Sequence, residues 1–398
     1  MHLAPIRRAA LVAALCALTA PAVSAQEQSA EFPTYRTPGL TFTPGITVAG
    51  GWDSNVALAA PSGRAAGDNV FLFQPFGQLE LISPRTELIA GYKGNVRRYM
   101  DVDELNGYDQ RGYFSLRRLA TRRLTFFASN DYEDVPTTDQ TVLNGVPFSR
   151  TGSKSNRLAG GIEARLAKYT DLNVRYENTW VKFDREATFL SDGWINSVSG
   201  DLRQRLSPRF SVGAEYEIRK ADLEQGRRNI WFQDIGGLVS YAVGPHTTLT
   251  ASAGFSVLND DVPSGDRTGP YFRGDISHDL DRVKFGAAYE KSFVPSFGFG
   301  GASDNQEVSG FVYMPLNRNR MYINSHALWR RSNPLLVDVE LALDTIQINN
   351  TLGYAVVRWL RLEAFHAFTR QDSRITGGEI NRHRAGLQLV LSQPMRIR

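Results

Sequence analysis

The side chains with the most chemical capacity in this chain are charged residues set on every second position. Arg175 and Glu177 alternate with Val174 and Tyr176, and Glu215, Glu217 and Arg219 alternate with Tyr216 and Ile218. The same phase carries Lys93, Arg97, Arg117, Glu163, Arg165, Asp201, Arg203, Arg273, Asp275, Lys284, Glu290, Arg330, Arg361 and Glu363. Such a row cannot sit in an apolar core; it must pair with itself or face water. Arginine outnumbers the acids among these positions, which suits an anionic or hydroxyl-rich ligand, because guanidinium groups pair with carboxylates and hydrogen-bond hydroxyls.

Other chemistry lacks its ingredients. His246, His278, His326, His366 and His383 are scattered without ligand spacing, and none adjoins a nucleophile, so the sequence points to no enzyme, metal or cofactor. The one cysteine, Cys16, lies in the N-terminal leader. The Gly-rich run Gly298, Gly300, Gly301 has no helix after it. The segment Gly152, Ser153, Lys154, Ser155 lacks the strand and glycine of a phosphate loop, and both read as loop tips.

Alternating charges require an extended backbone, and the apolar partners show the same period. Phe210, Val212, Ala214, Tyr216 and Ile218 interleave with Ser211, Gly213, Glu215, Glu217 and Arg219, and the beat continues to Leu387, Leu389 and Leu391. Segments of this kind recur about 18 times between residues 45 and 392. Their connections alternate in length. Ser83 to Arg85, Ala120 to Arg122, Ala167 to Thr170 and Ser207 to Arg209 are tight, whereas Ala57 to Asp68, Asp134 to Lys154, Asp184 to Asp192, Asn259 to Thr268 and Pro295 to Asp304 are long and rich in Gly, Pro, Asp and Ser. No run after the leader approaches the roughly 18 apolar residues of a membrane helix.

The pattern predicts an all-β fold: a transmembrane antiparallel up-and-down β-barrel of about 18 strands with short periplasmic turns and long extracellular loops. An even strand number lets the first and last strands pair and removes the sheet edges. Trp52, Trp180, Trp194, Trp231 and Trp329 fall near the long-loop ends and Trp359 near a short turn, as an interfacial girdle requires. A soluble sandwich would need two packed apolar faces, yet many of those positions hold small residues such as Ala251, Ala253, Ala287 and Ala327.

Residues 1–25 read as a secretory signal, with Arg7 and Arg8 before the apolar run Ala9 to Leu18 and small residues up to Ala25. Residues 26–44 then form a periplasmic segment, 45–392 the barrel and 393–398 a periplasmic stub. Without Arg7 and Arg8, the 45 basic and 41 acidic side chains leave an excess of about two positive charges, which gives no case for nucleic acid. The tight turns carry Arg85, Arg122, Arg123, Lys168, Arg209, Arg282, Arg318, Arg320 and Arg358. The long loops carry Asp101, Asp103, Glu104, Glu133, Asp134, Asp139, Asp184, Glu186, Asp192, Asp260, Asp261 and Asp266. A five-residue turn from Ala167 to Asp171 would set Glu163 opposite Arg175.

The segment Ala49, Gly50, Gly51, Trp52, Asp53, Ser54, Asn55, Val56, followed by Asp68, Asn69 and Val70, resembles the opening of a β-barrel porin family associated with exopolysaccharide secretion. The resemblance implies an outer-membrane channel of a Gram-negative bacterium. It would work in outer-membrane lipid with a polysaccharide substrate and with periplasmic or inner-membrane export proteins. Asp53 and Asn55 lie where a strand enters a long loop and also suit a turn cap. One departure is the end of the chain, where Pro394, Met395, Arg396, Ile397 and Arg398 follow the last alternating segment in place of a terminal aromatic residue.

The leading expectation is export of an acidic exopolysaccharide through a passive channel. The alternative is a general or small-solute diffusion porin. A third reading is a structural or adhesive outer-membrane protein, for which the acidic stretch Asp131 to Asp139 is the candidate surface.

Overall fold

The period-two beat becomes ladder pairing along nearly the whole chain. The computed structural model describes residues 38–397 except 60–65, 141–142, 185–189, 224–227, 261–265, 281, 299–300, 318–319, 336–341 and 374–377. The signal reading over 1–25, the first part of the periplasmic segment, and Glu186, Asp261, Gly300 and Arg318 lie outside the described residues.

Eighteen long strands follow one another: β1 (Gly39–Asp53), β2 (Asp68–Ile82), β3 (Thr86–Tyr99), β4 (Gly107–Thr121), β5 (Leu124–Val135), β6 (Ser153–Ala167), β7 (Thr170–Phe183), β8 (Gly193–Arg205) and β9 (Phe210–Leu223), then β10 (Arg228–Ala242), β11 (Thr247–Asp260), β12 (Arg267–Leu280), β13 (Val283–Pro295), β14 (Ala302–Leu316), β15 (Met321–Pro334), β16 (Leu343–Val357), β17 (Leu360–Ser373) and β18 (Gly378–Ser392). Each pairs antiparallel with its sequence neighbours, and β1 pairs with β18, which closes the sheet. Closure leaves no row of unpaired backbone groups, the condition for a sheet to cross lipid. Strands of 12 to 15 residues are long enough to cross a hydrocarbon layer of about 30 Å at a tilt.

The ends of the barrel differ as the connection lengths require, and three details depart from the sequence reading. First, β1 begins at Gly39 and runs through Pro44 with its register to β2 intact, so residues 39–44 belong to the barrel. Second, the tail is paired: β19 (Met395–Ile397) sits against Leu40–Phe42 and prolongs the seam past Pro394. Third, the β6–β7 turn is tighter than five residues, with a register shift between Arg165 and Ala167. Glu163 therefore lies opposite Asn173, and Arg175 lies opposite Gly161. At the β14–β15 turn, Asn317 takes a left-handed conformation (φ 46°), which asparagine tolerates better than most residues.

The two faces are chemically distinct. Phe71, Trp52, Trp194, Val198, Leu202, Tyr216, Ile235, Val239, Phe255 and Leu387 are exposed on the outside. Trp180 and Trp194 pack on adjacent strands with ring centroids 5.9 Å apart, near the long-loop end. Inside, the extracellular half is filled. Val181, Phe183, Ala221, Leu223, Ile230, Phe232 and Leu258 on the inner wall pack with Phe293 at the end of β13, Ala302 at the start of β14, and Val146 and Phe297 from connections folded into the lumen.

Candidate functional site

The candidate site is the lumen, built by the inward-facing alternate positions of the strands. Every charged residue singled out in the sequence by its phase lies on this inner face. The structure brings these side chains together as opposite-charge pairs. Arg117 donates to Glu163 at 2.7 Å, Arg175 to Glu177 at 2.6 Å, Arg203 to Asp201 at 2.8 Å and Arg273 to Glu290 at 2.9 Å. Arg97 reaches Asp109 at 2.6 Å, Arg330 reaches Glu307 at 2.7 Å and Lys284 reaches Asp279 at 3.1 Å. Arg165 pairs with Asp171 at 3.3 Å and Arg361 with Glu363 at 3.4 Å, while Arg219 pairs with Asp234. Glu215 accepts from the Tyr271 hydroxyl at 2.7 Å. Glu217 lies 3.9 Å from Arg219, and Lys93 sits opposite Phe76 and Arg111 on the same face.

This pairing corrects the expected arginine surplus. Asp109, Asp171, Asp234 and Glu307 complete the pairs and absorb the guanidinium groups. Exposed pairs of this kind contribute little stability, whereas breaking a buried one is costly. Their exposure varies from pair to pair: the Arg273 side chain is 44% exposed, against 7% for Arg361 and 1% for Arg382.

Arg382, on β18, is the hub of an arrangement that sequence phase alone did not reveal. It contacts Asp53 of β1 at 2.5 Å and Asp139 of the β5–β6 connection at 2.6 Å, and both carboxylates are fully buried. Burial alone would push the Asp139 carboxyl up, but Arg382 and Arg384 beside it hold it at about 2. The acidic stretch offered for adhesion is thus turned inward: Asp139 is buried, and Asp131 pairs with Arg111 inside the wall at 2.5 Å. Asp53 and Asn55 of the family-like segment have structural work. Asn55 donates to the carbonyls of Ala59 and Asn381 at 2.9 Å and 3.0 Å, and the segment Gly51, Trp52, Asp53, Ser54, Asn55 joins the seam to the loop latch.

The β5–β6 connection crosses the lumen to reach Arg382, and side chains of β15 to β17 receive its backbone. Arg330 donates to the Leu143 carbonyl at 3.3 Å, Gln347 to that of Asp139 at 3.5 Å and Gln371 to that of Val146 at 3.2 Å. Gln371 also accepts from the Phe148 N–H at 2.6 Å. Between this connection and β15 to β17 the void is ≈ 10 Å³, room for about one water. From the other side, the end of β13 leans in. Arg219 donates to the Phe293 carbonyl at 3.0 Å, the Phe293 N–H donates to Ser256 at 3.0 Å, and Ser296 donates to the Asn144 carbonyl at 3.1 Å. The two inward connections therefore meet across the extracellular half of the lumen.

Of the histidines, His326 faces the lumen, while His366 and His383 meet on the outer face with ring nitrogens 3.4 Å apart. Among the described residues no group of three or more His, Cys, Asp or Glu could hold a metal ion.

The outer face fixes the surroundings. Large apolar side chains exposed around a closed barrel, with tryptophans toward its ends, need lipid to cover them. This is an outer-membrane barrel of the Gram-negative kind. No family model matches the chain, and no curated protein matches it. Solved barrels do overlay on it. OpdQ of Pseudomonas aeruginosa is 10% identical with a TM-score of 0.45, over 90% of this chain and 100% of that one. OccAB4 of Acinetobacter baumannii is 10% identical with a TM-score of 0.45, over 90% and 99%. OpdK of Pseudomonas aeruginosa, solved with vanillate, is 12% identical with a TM-score of 0.44, over 89% and 99%. At such identities and scores the likeness carries no argument about substrate.

Proposed function

We propose that the protein is a loop-constricted outer-membrane channel for small hydrophilic solutes. The observation that carries this reading is the β5–β6 connection, folded into the lumen and fastened at Asp139 by Arg382. An 18-stranded barrel without such a loop leaves a wide aqueous channel. With it, the path for a solute is set by the gap between the loop and the charged wall, and a bulky polymer passes only if the loop leaves. The narrow path favours a solute of small cross-section over the acidic exopolysaccharide that the sequence first suggested. The family-like segment is the support that remains for export, and its Asp53 and Asn55 are occupied in holding the seam.

The test is replacement of residues 137–150 by a short Gly-Ser linker, followed by planar-bilayer recording and liposome swelling with a monosaccharide and a tetrasaccharide. The wild type is expected to show small steps and to admit the monosaccharide faster, and the variant to show much larger steps and weaker size discrimination. Wide wild-type steps that the replacement leaves unchanged would overturn the proposal. A deletion strain that lost surface polysaccharide while solute uptake stayed normal would restore the export reading.

A further inference from the structure

The inner wall is not charged all the way round. Between Lys284 on β13 and Arg384 on β18, two successive rows of inward side chains contain no carboxylate, ammonium or guanidinium. One row runs Phe311, His326, Asn349 across β14, β15 and β16, and the next runs Tyr313, Asn324, Thr351, Phe365 across β14 to β17. The remainder of the wall at comparable depth carries Arg175–Glu177, Arg203–Asp201 and Arg273–Glu290.

Two phenylalanine rings of this strip reach over glycines. Phe311 sits over Gly286, where a Cβ would come within 2.5 Å of the ring, and it stacks on His326 with centroids 5.9 Å apart and planes at 25°. Phe365 lies over Gly386, where a Cβ would come within 2.8 Å. A ring seated on a glycine keeps one face on the wall and turns the other to the lumen, and Phe311 is 41% exposed despite its size. An exposed phenylalanine in a wet channel loses free energy unless something apolar covers it.

The geometry points to a saccharide-binding strip: a neutral oligosaccharide lays the C–H faces of its rings on Phe311 and Phe365 while its hydroxyls exchange hydrogen bonds with Asn349 and Thr351. Rings and amides together supply the two things a pyranose presents, an apolar face and a rim of donors and acceptors. An anionic sugar would need a cation within the strip, which has none. The inference rests on the reading that solutes traverse the lumen, and it names their class.

The test uses the full-length protein in planar bilayers with maltohexaose, and a polyethylene glycol of similar hydrodynamic size as the steric control. Maltohexaose is expected to interrupt the ion current with dwell times well beyond the glycol's. Phe311→Ala should shorten those dwells roughly tenfold, the range of one aromatic contact. Phe311→Trp should retain them, and heat-modifiable migration checks that both variants fold. An open channel that maltohexaose interrupts no longer than the glycol does would overturn the proposal and leave the channel reading standing. If no current flows, the channel reading fails instead. Saturation-transfer NMR of maltohexaose with the protein in a sugar-free detergent then decides the strip, since signal lost in Phe311→Ala supports it and no signal in wild type overturns it.

Discussion

Arg382 concentrates more consequence than any other residue. Its guanidinium bridges Asp53 from the wall and Asp139 from the loop, all three out of water. Arg382→Ala leaves two facing carboxylates buried and unpaired, which is expected to cost about 3–5 kcal/mol and to lower the temperature of heat-modifiable unfolding. Asp139→Asn keeps the shape but loses charge, and is expected to weaken the loop's attachment by less, read as more frequent large conductance steps. The pH dependence has a definite sign. Asp139 is held at about 2, below the ordinary value near 3.9, so its contribution is complete above the ordinary value and fades as pH falls through about 2. Loop attachment measured by conductance should stay flat from neutrality to about pH 4 and loosen only below it. The phase of Arg382 was readable beside Gln388, but its partners were not. Asp139 stands 243 positions away, and nothing local in the sequence marks the meeting.

At the scale of strands and turns, alternation determined face, while the turns adjusted register. The bulge before the β6–β7 turn moved Glu163 one pair away from Arg175, and Arg117 on β4 became its partner at 2.7 Å instead. Similar shifts precede the β4–β5 and β16–β17 turns, between Leu119 and Thr121 and between Ala355 and Val357. Cross-strand packing on the inner face relies on glycines beneath rings. Tyr322 lies where a Cβ on Gly353 would be, and its hydroxyl donates to Glu363 at 2.5 Å. Gly353→Val is therefore expected to unseat Tyr322 and cost about 1–3 kcal/mol, whereas Gly50→Val, with open space on the outer face, should be nearly silent; thermal unfolding in detergent compares them.

At the scale of the whole molecule, the barrel owes its orientation to lipid and its bore to its own loops. Trp52, Trp194 and Trp231 should be quenched by lipids brominated near the headgroup and little by lipids brominated at the chain ends; equal quenching at both depths would contradict the girdle. Strand identity, the inward and outward faces, closure and the two unlike ends were all legible in the sequence. Each follows from a period of two and from the length of neighbouring connections, which are local properties. The partners of the arginines singled out by phase, the filling of the extracellular half and the uncharged aromatic strip were decided by the tertiary structure. They depend on which distant strands curvature sets side by side and on where a long connection finds a buried countercharge, and neither is written in the spacing of residues along one strand.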